Sequence, residues 1–195
     1  MNRRDALKGL GLSLGYVIAT PTILSMLQSC TSHAEQWTPL FFSNKQGHIL
    51  QKLVDLILPK TKDTAGALDV NVPQFIDLFV SKTISDEEKE IYKTGLDAVM
   101  EELGILNDEP LALKTEHFES LLSKYLRITR AQRLAYILEE DLVFQTLTTI
   151  RDQTVFAYIT SKEIGENVLA YNPIPGQQKG CISVEEATGG KAWSL

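Results

Sequence analysis

The sequence contains few of the residues that build metal centres and redox sites. Its 195 residues include two cysteines and three histidines. The histidines are scattered at His33, His48 and His117, and neither His48 nor His117 follows a glutamate by three residues. The Glu-x-x-His pattern of di-iron helical bundles is therefore missing. We expect no metal site and no catalytic residue in this chain.

Cofactor-binding motifs are equally scarce. The chain has no Cys-x-x-Cys-His sequence for covalent haem and no phosphate-binding glycine loop that ends in lysine. Gly9, Gly11 and Gly15 come close to a dinucleotide-binding pattern, but the third glycine falls one residue late and no predicted strand precedes it. We therefore expect no cofactor in this chain.

Basic residues are also fewer than acidic ones. The chain carries 19 lysines and arginines against 25 aspartates and glutamates, a net charge of −6. Residues 1–29 hold Arg3, Arg4 and Lys8 against Asp5 alone, so the remainder has 16 basic and 24 acidic residues and a net charge of −8. Such an acidic domain is a poor match for nucleic acid, and it lacks the polybasic face that binds anionic lipid.

The N-terminus, in contrast, carries a recognisable signal. The pair Arg3-Arg4 precedes a weakly apolar, glycine-containing run from Gly9 to Leu27. A basic segment, an apolar segment and a processing site in this order predict a twin-arginine export signal over residues 1–29. The alternative is a helix retained as a membrane anchor, although the glycines weaken a helix and the run is short for a membrane span.

The residue that follows this signal is a cysteine. The four residues that end in Cys30 resemble a lipobox, in which the cysteine is acylated and becomes the mature N-terminus. Residues 30–42 are then a flexible tether, and we expect a protein of the periplasm or cell envelope, anchored to a membrane by lipid. A disulfide between Cys30 and Cys181, the only two cysteines, is the alternative.

Helical periodicity dominates residues 43–170. It predicts an all-α fold, a single compact helical domain of about five to seven helices. Ser43, Ser85 and Thr129 each stand where a helix N-cap is expected, and Ser85 and Thr129 have Glu or Gln three residues later, which makes a capping box. Pro59 ends the first helix because proline lacks the amide donor.

Apolar residues at three- and four-residue steps mark the side of each helix that should face the core. We expect these stripes to be used up in building the domain. The predicted inward-facing residues include Ile49, Leu53, Phe75, Ile76, Phe79, Val80, Ile91, Val99, Leu103, Phe118, Tyr125, Leu134, Leu138, Leu147 and Ile150.

Residues 171–195 differ in composition and predict an irregular, non-helical C-terminal tail rich in proline and glycine. One hypothesis is a docking segment for a partner, because loops carry binding and aromatic residues anchor interfaces. The alternative is a tail packed over its own domain. Cys181 is expected to be buried and inert. The predicted contact residues are Tyr171, Pro173, Pro175, Gly176, Cys181 and Trp193.

Several short motifs follow one another between Pro39 and Leu195. They are Leu53-Val54-Asp55-Leu56-Ile57-Leu58-Pro59-x-Thr61, Gly66-Ala67, Val72-Pro73-Gln74-Phe75-Ile76-Asp77, Tyr158-x-Thr160-Ser161-x-Glu163-x-Gly165, and Tyr171-Asn172-Pro173-x-Pro175-Gly176 leading to Gly180-Cys181. In this order and spacing the chain resembles the gluconate 2-dehydrogenase subunit 3 family, for which a twin-arginine signal is also typical.

The resemblance implies a partner subunit. This is a large flavoprotein of the glucose–methanol–choline oxidoreductase type, which carries FAD and the catalytic base, and some complexes of the family add a cytochrome c subunit. A cofactor-free chain with a folded-export signal then makes sense, because its cargo is the complex and the signal-less flavoprotein travels with it through the twin-arginine translocation machinery. The rival hypothesis is a stand-alone envelope lipoprotein that serves as a helical binding or scaffold module.

Overall fold

Helices build the chain from Thr38 onward, and most of them pack around one long central helix. In this computed structural model the described residues are 37–105, 113–174, 176 and 180–194.

Some predicted features lie outside the described residues. These are the export signal with Arg3 and Arg4, the lipidation site Cys30, His33 and the tail residue Pro175. Export and lipidation therefore stay predictions.

The prediction of an all-α fold is confirmed. The described residues contain eight helices and no strand, with a single isolated bridge near the C-terminus. Seven of the eight helices fall between residues 43 and 170. In chain order they are α1 (Asn44–Ile57), α2 (Val72–Thr83), α3 (Asp86–Glu102), α4 (Thr115–Leu126), α5 (Arg130–Leu138), α6 (Leu142–Ile159), α7 (Lys162–Asn167) and α8 (Val184–Thr188).

The predicted caps begin three of these helices. Ser43, Ser85 and Thr129 precede α1, α3 and α5, and each hydroxyl accepts a hydrogen bond of 3.2–3.3 Å from the amide three residues later. The Gln or Glu at that later position accepts from the cap amide at 2.9–3.1 Å. Because each capping box satisfies amides that the helix itself leaves unpaired, these starting points could be read from the sequence.

Helix α6 is the centre of the domain and packs against α1, α2, α3, α4 and α7. Its crossing with α3 is close: a Cβ added at Gly95 would lie 2.0 Å from the Thr146 hydroxyl oxygen, so only glycine fits there. The fully buried core includes Leu53 and Val54 of α1, Ile76 and Val80 of α2, Leu96 and Val99 of α3, and Leu147 and Ile150 of α6.

The predicted inward faces of α2 and α3 were wrong at two residues. Ile91 is 60% exposed, because α3 turns Tyr92, Leu96 and Val99 towards the core instead. Phe75 is also exposed.

The prediction was also wrong for the stretch that precedes α6. Leu134 and Leu138 are exposed, and none of the residues of α5 is buried. The chain turns at Glu140, whose φ is +53°, so α5 and α6 are separate helices. Tyr136 is the half-buried residue of α5, and its ring centroid lies 5.2 Å from that of Tyr125 and 5.3 Å from that of Phe144.

The segment that leads into α1 is fixed by a buried carboxylate. Asp77 of α2 is 1% exposed and accepts hydrogen bonds from the amides of Leu40, Phe41 and Phe42 at 2.6, 3.0 and 3.1 Å. These three bonds offset the cost of burying the charge. They hold the end of the predicted tether against α2.

None of the helices in the described part of the chain is long and apolar enough to cross a membrane.

Candidate partner-binding surface

The C-terminal tail returns to the helical domain at one point. The Ala170 amide donates to the carbonyl of Ala192 at 2.9 Å, and the Ser194 amide donates to the carbonyl of Ala170 at 2.9 Å. These two bonds form the isolated parallel bridge between Ala170 and Trp193. Backbone hydrogen bonds therefore attach the end of the tail to Ala170, three residues beyond the end of α7.

The described tail residues predicted to contact a partner are all on the surface. Tyr171 is 55% exposed and Trp193 is 52% exposed, and Pro173 and Gly176 are exposed as well. About half of the surface of each aromatic residue is thus open to solvent, while the backbone beside it is hydrogen-bonded. Their role as contact residues stays a prediction.

Two expectations for the tail were wrong. Cys181 is a free, exposed thiol and not a buried one, since no described part of the tail is packed into the core. The tail is also not wholly irregular, because α8 forms at its centre. Ser183 caps α8 by accepting from the Glu186 amide at 3.1 Å, a local signal that the sequence already carried.

A glycine in α7 makes room for the last residues of the tail. A Cβ added at Gly165 would lie 2.9 Å from the Ser194 hydroxyl oxygen. A side chain at this position would therefore force the Ser194 hydroxyl to move. The tail, the end of α6 and α7 therefore meet at one place.

The loop between α1 and α2 meets the same end of α6. The Tyr158 hydroxyl of α6 donates to the carbonyl of Ala65 at 2.6 Å. Gly66 follows it, and a Cβ there would lie 2.6 Å from the backbone nitrogen of Lys60. Tyr158 thus holds the loop against α6, while Gly66 permits a close backbone approach within the loop itself.

A groove of about 630 Å³ opens between this loop and the start of α7. Charges of both signs line it. The Lys60 ammonium lies 3.1 Å from the Asp69 carboxylate, which also accepts from the Gly66 amide at 2.8 Å. The Gly66 hydrogen bond, followed by Lys60, holds the pKa of the Asp69 carboxyl below its ordinary value. The other charged residues of the groove are Lys62, Asp63, Lys162 and Glu163.

An aromatic patch lies on α2 and α6, and two of its residues, Phe75 and Phe79, had been predicted to face the core. It consists of Phe75, Leu78 and Phe79 of α2 with Phe156 of α6. The Phe75 ring stacks on Phe79 with centroids 6.0 Å apart and lies 6.3 Å from Phe156. Phe75, Leu78 and Phe156 are exposed. The helical spacing of α2 was visible in the sequence, but whether this side faced the core or solvent was not.

Metal-ligating side chains are dispersed in the described part of the chain, where no three His, Cys, Asp or Glu residues come together in a way that could hold a metal ion. His48 is half-buried in α1, and burial followed by the charge of Lys52 lowers its pKa. His117 is exposed at the start of α4, with Nδ1 3.3 Å from the carbonyl oxygen of Lys114.

A comparison with protein families gives one match that covers most of the helical domain. The family model described as gluconate 2-dehydrogenase subunit 3 matches residues 44–176, which is more than half of the chain. No curated protein and no solved structure gave a match.

Proposed function

The chain belongs to the gluconate 2-dehydrogenase subunit 3 family, and we propose that it is the non-catalytic small subunit of an FAD-dependent dehydrogenase of sugars or sugar acids. The observation that carries the proposal is the family match over residues 44–176. The family is described as subunit 3 of gluconate 2-dehydrogenase, and this description supports an assembly with other subunits. In this proposal FAD and the catalytic base belong to a flavoprotein partner.

We infer that the chain serves as the export escort of this flavoprotein. Arg3-Arg4 and the apolar run behind them supply one twin-arginine signal for the complex. A route that carries folded proteins suits a partner that binds FAD before export. Lipid on Cys30 would then hold the complex at a membrane of the cell envelope.

The contact with the flavoprotein is proposed at the C-terminal end of α6. Three features support this location. The tail presents the exposed Tyr171 and Trp193, the aromatic patch lies on α2 and α6, and Tyr158 fixes the loop beside them. Exposed aromatic side chains on a backbone that is already ordered lose little conformational entropy on binding.

An export experiment tests the escort role. The chain and its flavoprotein are expressed together, and the cell fractions are assayed for both proteins and for bound flavin. Arg3→Lys combined with Arg4→Lys should leave both proteins in the cytoplasm, because lysine keeps the charge but not the guanidinium group that is recognised. Lys8→Arg is the matched control, since it changes a basic residue of the same segment outside the pair and should leave export intact.

Two outcomes would overturn the proposal. If the flavoprotein reaches the envelope while the Arg3→Lys, Arg4→Lys chain does not, this chain is not its escort. If no flavoprotein co-purifies with the exported wild-type chain, the alternative of a stand-alone envelope lipoprotein replaces the proposed subunit role.

A further inference from the structure

Helix α5 carries an apolar face that nothing in the described part of the chain covers. Leu134, Ile137 and Leu138 stand at positions i, i+3 and i+4, so they share one side of the helix. All three are exposed, and Leu138 is 82% exposed. An amphipathic helix with this spacing of anchors is typical of helix-in-groove recognition.

The charges of α5 are separated along its axis. Arg130 and Arg133 lie at its start, and Glu139 and Glu140 follow its end. None of these four side chains forms an ion pair within the described residues. A uniformly anionic lipid surface would attract one end of this helix and repel the other, so the pattern favours a protein groove with its own separated charges.

A groove with the complementary pattern exists on this same protein. It has a volume of about 450 Å³ and runs along one side of α4, where Leu122 and Leu126 join Leu56 and Ile57 of α1 in a half-buried apolar floor. Arg151 also lines this groove, but its guanidinium is already paired with Asp152 at 2.7 Å.

The ends of the groove match the ends of α5 in charge and in spacing. Of the residues that α4 and its C-cap contribute to the groove, Glu119 is the first along the chain and Arg127 is the last. The eight residue steps between them span about 12 Å at the helical rise, and the nine steps from Arg130 to Glu139 span about 14 Å. An α5 helix that lies parallel to α4 would place its arginines at Glu119 and its glutamates at Arg127.

We propose that α5 of one copy binds in the α4 groove of a second copy, so that two chains form a closed dimer. Leu134, Ile137 and Leu138 fill the apolar floor, and the end charges set the direction of the helix. A two-fold axis lets both copies make the same contact at once, which closes the assembly at two chains. Helix α5 precedes the N-terminal end of α6, whereas the proposed flavoprotein contact lies at the C-terminal end of that helix.

Sedimentation velocity over a wide concentration range tests the proposal. The full chain carries Cys30→Ser to remove lipid and is kept in reducing buffer because Cys181 is an exposed thiol. We expect a monomer–dimer equilibrium that shifts to the dimer as concentration rises. A monomer at every concentration, or growth into larger species without a dimer limit, would overturn the proposal.

Two apolar-to-charged variants locate the contact. Leu138→Glu should weaken dimerisation by about tenfold or more, because it places a charge on the apolar floor. Ile174→Glu is the matched control: Ile174 is 83% exposed, against 82% for Leu138, but lies in the C-terminal tail. Since both residues are exposed, neither change should unfold the domain. Equal effects of the two variants on dimerisation, or none from Leu138→Glu, would contradict the proposed site.

A charge exchange tests the direction of α5 in the groove. Glu119→Arg alone, and Arg130→Glu with Arg133→Glu, should each weaken the dimer by about threefold, and all three changes together should restore it. Failure of the combined variant to recover would overturn the proposed pairing.

Capture of the flavoprotein distinguishes this inference from the proposed function. Leu138→Glu should leave that capture intact. If the wild-type chain is monomeric and Leu138→Glu loses the flavoprotein, then α5 is a site for the partner subunit and the dimer proposal is wrong.

Discussion

The two ends of α6 present exposed apolar side chains on very different supports. The helix has 18 residues and is therefore about 27 Å long. At its C-terminal end, the Tyr158 hydroxyl holds the α1–α2 loop and Gly165 receives Ser194 of the tail. At its N-terminal end, α5 is attached through the aromatic contacts of Tyr136.

This difference shows that exposure alone does not define a binding surface. At the C-terminal end, Tyr171 and Trp193 project from a backbone that the Ala170–Trp193 bridge already orders, so binding costs little entropy. Helix α5 has few buried contacts and belongs to the part of a fold that opens most easily. We therefore expect the first surface to bind as a preformed site and the second to become ordered as it binds.

Truncation after Leu169 should have the largest effect on partner binding. It removes Tyr171 and Trp193, and one aromatic hot spot is typically worth about 2 kcal/mol or more. We expect the flavoprotein to be lost in a pull-down while circular dichroism shows the helical domain still folded, because no described residue beyond Leu169 is buried.

A smaller change separates loss of the contact residues from unfolding of the truncated chain. Tyr171→Ala with Trp193→Ala should reproduce the loss of binding, whereas Ile91→Ala, an exposed apolar residue of α3, should not. Joint loss of helicity and binding in the truncated chain would show instead that the tail serves mainly to pack its own domain.

The parts of the fold that follow local rules could be predicted from the sequence. The hydroxyls of Ser43, Ser85 and Thr129 satisfy amides within three residues, so the start of each helix depends on nothing distant. The orientation of a helix face depends instead on which helices cross it. Gly95 lets α3 approach Thr146 of α6, a long-range contact that no local pattern announces, and Ile91 one turn earlier is 60% exposed.

The candidate partner-binding surface could be predicted only in part, because the orientation of a helix face depends on which other helices cross it. Tyr171 and Trp193 lie in a segment whose composition already indicated a loop, and both are exposed. Phe75 and Leu138 share their spacing with core residues, and sequence periodicity cannot tell an inward stripe from an outward one. The tertiary contacts that decide between them lie on other helices.

The α5 end can be tested by removing its attachment. Tyr136→Ala deletes the ring that contacts Tyr125 and Phe144, at a cost of about 1–3 kcal/mol, because such aromatic pairs contribute about 0.5–1.5 kcal/mol each. Hydrogen exchange should show faster exchange of the α5 amides while the core of α6 remains protected. Tyr171→Ala is the control and should leave α5 unchanged. Equal loss of protection across α5 and α6 would show that α5 is part of the cooperative core after all.

The smallest expected effect concerns Asp69, which ties the α1–α2 loop together. Its pKa lies below the ordinary value of 3.8, first because the Gly66 amide donates to it and then because Lys60 is near. The ionised carboxylate therefore stabilises the folded state above this ordinary pKa, and the contribution is lost as pH falls through the lower folded pKa. Asp69→Asn should lower the melting temperature slightly at neutral pH, and the difference from wild type should vanish in acid. Lys60→Met should reduce this pH dependence without abolishing it, because the Gly66 hydrogen bond remains. A melting-temperature difference that stays constant across the whole range would mean that the charge of Asp69 does not stabilise the loop.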